Sequence, residues 1–262
     1  MIFLRSLLFN ICFTAWAMMA PLLFAPLFIA SAEGAQRAGS PWARGSLRLL
    51  RLICGIRQEI RGGQYIAGVP VIYACKHQSA WDTVALLAML PRPAYVLKRE
   101  LIAIPLWGWY LWRMKMIAID RSKGAGSIKQ IVRQAQQAVN DGRPVVIYPE
   151  GTRTVPGAAA HYHPGIAALY SQLGIPVVPV ALNSGLYWGR NAFFKRPGTI
   201  AMEFLPPIAP GLPRREFMAR LKDAIETASQ KLLEDSINPV RRASGCAGSE
   251  DPARSLRNSQ DV

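Results

Sequence analysis

Acidic residues are scarce in this chain: 16 Asp and Glu stand against 31 Lys and Arg in 262 residues, a formal charge of +15. That imbalance excludes a polycationic partner and calls for an anionic one, whether nucleic acid, anionic lipid or a phosphorylated metabolite. A hydrophobic content of 51% decides among these, because it suits a protein seated on a membrane and not a basic nucleic-acid binder. Cysteine is also rare. Cys12, Cys54, Cys75 and Cys246 form no C-x-x-C pair and no regular spacing, which excludes a zinc ribbon and a disulfide framework and points to a reduced, cytosol-facing compartment. The chain has no G-x-x-x-x-G-K-[ST], no G-x-G-x-x-G and no G-x-S-x-G, so phosphate-loop hydrolysis, dinucleotide binding and a serine nucleophile elbow have no motif. No cofactor and no metal is expected. The length suffices for one full core with an anchor or tail, not for two large domains.

Charge is missing altogether between Ser6 and Ala32, a run long enough to cross a hydrocarbon core. The small residues of "IASAEGA" raise the alternative of a cleaved signal peptide. The run exceeds a usual signal core, however, and its downstream flank carries Arg37, Arg44, Arg48, Arg51, Arg57 and Arg61, so a retained anchor with the rest of the chain inside is expected. Pro21 and Pro26 interrupt the run, which leaves a spanning helix and a re-entrant hairpin both open. The expected organisation is an anchor over 1–35, one domain over 36–238 and a disordered tail over 239–262, placed at an inner membrane with the domain facing the cytoplasm.

Within the domain, short apolar runs alternate with helical patterns. "VPVIYAC", "AYVLK", "RPVVIYPEG", "IPVVPVAL" and "GTIAMEFLPPI" read as strands; "DTVALLAML", "GSIKQIVRQAQQAVNDG", "PGIAALYSQLG" and the segment from Arg215 to Ser236 read as helices. This predicts an α/β fold whose central sheet is flanked by helices. Trp107, Trp109, Tyr110 and Trp112 cannot all share one helical face, so some are expected at a lipid boundary or lining a tunnel.

Two polar clusters follow strand ends. In "KHQSAWDT", His77 lies between a strand and a helix, with Lys76 beside it and Asp82 five residues on. Ser79 and Asp82 also fit a capping box, so Asp82 has a purely architectural explanation. In "YPEGTRT", Glu150, Gly151, Thr152 and Arg153 combine a carboxylate, a flexible backbone, a hydroxyl and a guanidinium suited to bidentate phosphate binding. Two such clusters at equivalent strand ends suggest one cleft. His161 and His163 lack a carboxylate or thiolate partner and read as residues of the cleft rim.

These segments resemble the motifs of the glycerolipid acyltransferases. "KHQSAWD" is similar to the N-H-x-x-x-x-D motif with Lys76 in the place of Asn, "IAIDR" at Ile117–Arg121 to the second motif without its usual Gly, "YPEGTR" to the third, and "PVVPVAL" to the fourth. Order and spacing agree from Val69 to Pro207. The resemblance implies acyl transfer from acyl-CoA or acyl carrier protein to a lysolipid hydroxyl. His77 and Asp82 would form the catalytic pair, Arg153 and Arg121 would hold an anionic head, and Glu150 would orient the loop or the acceptor hydroxyl beside Gly151 and Thr152. Lysophosphatidic acid is the expected acceptor, with another lysolipid such as a lyso-ornithine lipid as the alternative. From a different class, a non-catalytic membrane protein binding anionic lipid would have no use for the His77 and Asp82 pairing.

Overall fold

The computed structural model describes residues 1–66, 68–120, 125–158 and 161–237. Arg121 and the tail expected over 239–262 lie outside the described residues.

Three helices come first: α1 (Ile2–Leu23), α2 (Ala25–Ala30) and α3 (Ala32–Cys54). The uncharged run is thus not one helix. Pro21 is accommodated in the last turn of α1, the break falls at Phe24, and Pro26 sits in the first turn of α2, where its missing N–H costs nothing. Ser31 starts α3 by accepting the Gly34 N–H, and Gly55 ends it in the left-handed conformation at φ 70°. Since α3 runs from Ala32 to Cys54, a boundary at residue 35 falls in its first turn.

The remaining elements are β1 (Ile56–Arg61), β2 (Ile72–Cys75), α4 (Ala80–Met89), β3 (Ala94–Lys98), α5 (Trp107–Arg113), β4 (Ile117–Ile119), α6 (Ala125–Asn140), β5 (Val145–Ile147), α7 (Gly165–Leu173), β6 (Val177–Leu182), β7 (Gly198–Phe204) and α8 (Arg214–Ile237). They form a seven-stranded sheet in the order β1-β7-β6-β2-β5-β3-β4, parallel except where β6 meets β7. The expected α/β architecture is present. The sequence reading did not anticipate β1 or β4. Both are edge strands: β1 is half exposed, with Arg, Gln and Glu, and β4 is only three residues long.

The central strands are apolar on both faces because both faces are covered. Tyr73 and Cys75 of β2 join the core beneath α1, α3 and α4, while Ile72 and Ala74 join the one beneath α6, α7 and α8. This is the two-residue period of a strand read out across a sheet.

Arg143, 1% exposed, ties the lower corner of this sheet together. Its guanidinium donates to the carbonyls of Arg92, Pro93, Met114 and Lys115 at 2.9 to 3.3 Å. Arg143→Leu strands four carbonyls in an apolar setting, so unfolding in detergent should show a loss on the order of 3 kcal/mol.

Candidate active site

β2 and β5 are neighbours and parallel, so their C-terminal ends bring the first and third motifs side by side. Two backbone-directed contacts stitch the loops: the His77 carbonyl accepts the Thr154 N–H at 2.8 Å, and Glu150 Oε2 accepts the His77 N–H at 2.8 Å. Glu150 is 3% exposed and also accepts the Thr154 hydroxyl at 3.0 Å. It therefore ties the His77 loop to the loop that follows β5.

His77 Nδ1 lies 3.1 Å from Asp82 Oδ2. That same oxygen accepts the backbone N–H groups of Gln78 and Ser79 at 2.7 and 2.8 Å, and Oδ1 accepts the Ser184 hydroxyl at 2.5 Å. Asp82 is fully buried at the start of α4 and closes a capping box with Ser79. One carboxylate thus caps the helix and faces the imidazole. Because every group around it is a donor, the network assigns the proton to His77 Nδ1 and leaves Nε2 as the acceptor.

The imidazole lies on the Tyr148 ring, with centroids 3.9 Å apart and planes 21° from parallel. Tyr148 donates its hydroxyl to Thr83 Oγ1 at 3.1 Å, and burial pushes its pKa well up, so it remains a neutral platform. Tyr148 stood within the third motif but was assigned no role by sequence. Ser184 had no signal beyond its place just after β6. Gln78, also unassigned, accepts the Gly185 N–H at 3.0 Å and fixes the same turn.

His77 lines a cavity of about 580 Å³. Its walls are apolar and come largely from α1 to α5, including Phe13, Phe24, Trp42, Leu87 and Met114. Gly151, Thr152, Arg153, Lys98 and Arg190 also line it. Gly151 turns there at φ 66°, a conformation that a side chain would disfavour. The guanidinium of Arg153 has no partner among the described residues; its carbonyl accepts from Arg190 at 3.5 Å. Lys98 and Arg190 were not expected at this rim. They come from the end of β3 and from the loop after β6, which no local pattern connects to the motifs.

Other expectations fare differently. Trp107 lines the cavity, whereas Trp109 and Trp112 are 43% and 61% exposed, so the aromatic cluster divides between tunnel and surface. His161 and His163 are exposed and do not line the cavity. Among the described residues no three metal-binding side chains cluster. Lys76 does not face the imidazole; it is 1% exposed and paired to Glu150 and Glu226.

Residues 57–183 match the family model described as Acyltransferase. A 1-acyl-sn-glycerol-3-phosphate acyltransferase of Pseudomonas aeruginosa is 40% identical over 165 residues, covering 63% of this chain and 64% of that protein. The alpha form of the enzyme of that name from Mus musculus is 30% identical over 171 residues, covering 62% and 60%. The chain thus spans a little under two thirds of the length of these relatives. The fold is also that of the crystal structure of the 1-acyl-sn-glycerophosphate (LPA) acyltransferase, PlsC, from Thermotoga maritima, with a TM-score of 0.73 at 17% identity over 88% of this chain and 98% of that one. The His77 and Asp82 pair and the "YPEGTR" loop both fall within residues 57–183, the span over which the chain is similar to the acyltransferase family.

Proposed function

We propose that the chain is a 1-acyl-sn-glycerol-3-phosphate acyltransferase, moving an acyl group from acyl-CoA or acyl carrier protein to lysophosphatidic acid to form phosphatidic acid. The observation that carries this is the position of His77: hydrogen-bonded through Nδ1 to Asp82, it lies on the wall of a largely apolar cavity that Arg153 also lines.

The chemistry follows from that arrangement. An alcohol attacks a thioester poorly until a base removes its proton, and an imidazole is suited to that task near neutral pH. His77 Nε2 takes the proton of the acceptor hydroxyl as its oxygen bonds to the thioester carbonyl carbon. Collapse of the tetrahedral adduct breaks the carbon–sulfur bond, and the departing thiolate recovers the proton from His77. Asp82 holds the tautomer and stabilises the imidazolium between these steps. The cavity accommodates the acyl chain, and Arg153 binds the acceptor's phosphate. The names of the relatives support the acceptor. Lipid analysis of a conditional phosphatidic-acid synthesis mutant carrying this gene tests the proposal: growth with restored phosphatidic acid is expected, and no restoration despite membrane expression would contradict it.

The protein sits at the cytoplasmic face of the inner membrane, with α1 and α2 embedded in one leaflet. α1 exposes Leu4, Leu8, Ile11 and Leu22. Both of its ends are bound to the domain, however. Near the start, Ser6 Oγ accepts the Lys195 N–H at 2.9 Å and Asn10 accepts from Lys195 Nζ at 2.6 Å; near the end, the Pro21 carbonyl accepts the Tyr110 hydroxyl at 2.8 Å. A helix held at both ends lies along the domain and does not project across a bilayer away from it. Protease should therefore reach the domain in inverted vesicles and not in intact spheroplasts. Removal of residues 1–31 should cost activity as well as membrane attachment, since Phe13, Ala20, Pro21, Phe24 and Phe28 form part of the cavity wall. A truncated chain that is soluble and fully active would contradict this placement.

A further inference from the structure

A second cluster of charges lies behind the His77 loop, on the side away from the large cavity. Lys76 Nζ is 2.8 Å from Glu150 Oε1 and donates to both carboxylate oxygens of Glu226 at 2.8 Å. Glu226 projects from α8, about 150 residues along the chain, and also accepts the Tyr162 hydroxyl at 2.9 Å. The Lys76 and Glu150 side chains are 2% and 1% exposed, whereas the Glu226 side chain is 30% exposed and lines a cleft of about 280 Å³ with Lys222 and Ser229. The motif resemblance gives no role to Lys76 or Glu226.

The connectivity runs directly to the base. Glu150 holds the His77 backbone N–H, Lys76 holds Glu150, and Glu226 holds Lys76. A buried carboxylate keeps its position only while its charge is compensated, and a buried ammonium in turn needs its own acceptors. Among the described residues Glu150 has one cation within reach, and that cation is shared with Glu226. We infer that Lys76 is a positioning residue for His77, holding Glu150 beneath the loop, and that Glu226 on α8 is matched to it: a carboxylate at 226 is accommodated beside Glu150 because Lys76 stands between them. The inference rests on the acyl-transfer reading for its kinetic consequence, and on the geometry alone for its structural one.

Removing Lys76 leaves Glu150 and Glu226 facing each other across a gap no wider than two short ionic contacts, with no cation between them. Lys76→Asn installs the residue usual at this place in the motif, yet here it should displace the Glu150 loop. Displacements on the scale of an ångström at a reacting centre cost about a hundredfold, and loss of a group that orients a catalytic residue costs about ten- to hundredfold. kcat should accordingly fall about ten- to hundredfold, with the acceptor KM within about threefold of normal, because the phosphate site is untouched. Glu226→Gln alone keeps the Lys76 and Glu150 pair and should lower kcat by less than about threefold. The double variant Lys76→Asn, Glu226→Gln removes the repulsion from Glu226 while Glu150 stays without its cation, and should recover part of the rate lost in Lys76→Asn.

The test is the steady-state kinetics of the full chain and these three variants with palmitoyl-CoA and lysophosphatidic acid, together with hydrogen exchange of the peptide spanning 76–82. Partial rescue of kcat in the double variant, and exchange that quickens in Lys76→Asn and slows again in the double, are the expected results. Additive losses, or a Lys76→Asn variant with normal kcat, would overturn the inference while an active wild-type chain left the enzymatic reading standing. A wild-type chain without transfer would remove that reading instead. The exchange data would then decide the positioning by themselves: unchanged protection in Lys76→Asn would overturn it, and loss restored by Glu226→Gln would sustain it.

Discussion

His77→Ala is expected to lower kcat/KM for acyl transfer by about 10² to 10⁴-fold, the range for loss of a general base. The protein should still fold. The imidazole contributes a stack on Tyr148 and one hydrogen bond to Asp82, but Asp82 retains the Gln78 and Ser79 amides and the Ser184 hydroxyl. A stability loss of about 1 kcal/mol is therefore anticipated, far too small to account for the rate. Near-normal turnover of His77→Ala in purified protein would remove the catalytic assignment. Asp82→Asn separates the two duties of that carboxylate. An amide can place its oxygen toward the Gln78 and Ser79 amides and its nitrogen toward Ser184, so the cap survives while the charge opposite the imidazole is gone. A large fall in rate with little change in thermal unfolding is the expected pattern. A variant with normal rate and lowered stability would make Asp82 a cap alone.

The second large effect belongs to Arg153. Lysine at this position keeps a positive charge and loses the planar fork, and a charge-assisted hydrogen bond is worth on the order of 1.5 to 3 kcal/mol, or roughly ten- to hundredfold in kcat/KM. If the guanidinium grips a phosphate present in both the ground and transition states, Arg153→Lys should raise the acceptor's KM and leave kcat nearly unchanged. It should do so for lysophosphatidic acid and hardly at all for an acceptor without a phosphate. Lys98 and Arg190 share the rim and set a ceiling on the loss, since two cations remain near the head when Arg153 is altered. Equal losses on both acceptors would assign Arg153 to the loop or to the donor.

The parts of this protein that sequence disclosed are those written locally. The central strands showed as unbroken apolar runs because both faces of the sheet are covered, and α6 and α8 kept a helical period because each has one wet face. His77, Asp82, Glu150 and Arg153 were visible because each lies within a short motif at a strand end. β1 and β4 were not visible. A half-exposed edge strand with the sequence IRQEIR has no apolar run to announce it, and three residues of β4 are too few to show a period. The interruption of the first apolar run was signalled by its prolines. Its attachment to the domain was not, since Ser6 and Asn10 are neutral residues whose partner, Lys195, lies nearly 190 positions away. The placement of Lys76 was hidden for the same reason. Beside His77 in sequence, it is drawn to the opposite side of the loop by a glutamate on α8 that only the fold brings near.

The central claim is that this chain transfers an acyl group to a phosphate-bearing lysolipid, and purified protein in mixed micelles tests it most directly. A single reaction would contain palmitoyl-CoA and equal amounts of lysophosphatidic acid, lyso-ornithine lipid and lysophosphatidylcholine, with products resolved by mass spectrometry. Phosphatidic acid should dominate, appear with one equivalent of free thiol, and vanish with His77→Ala. Predominant acylation of lyso-ornithine lipid would contradict the acceptor assignment, and lipid binding without any acylated product from either acyl-CoA or acyl carrier protein donors would contradict the claim that the protein is an enzyme.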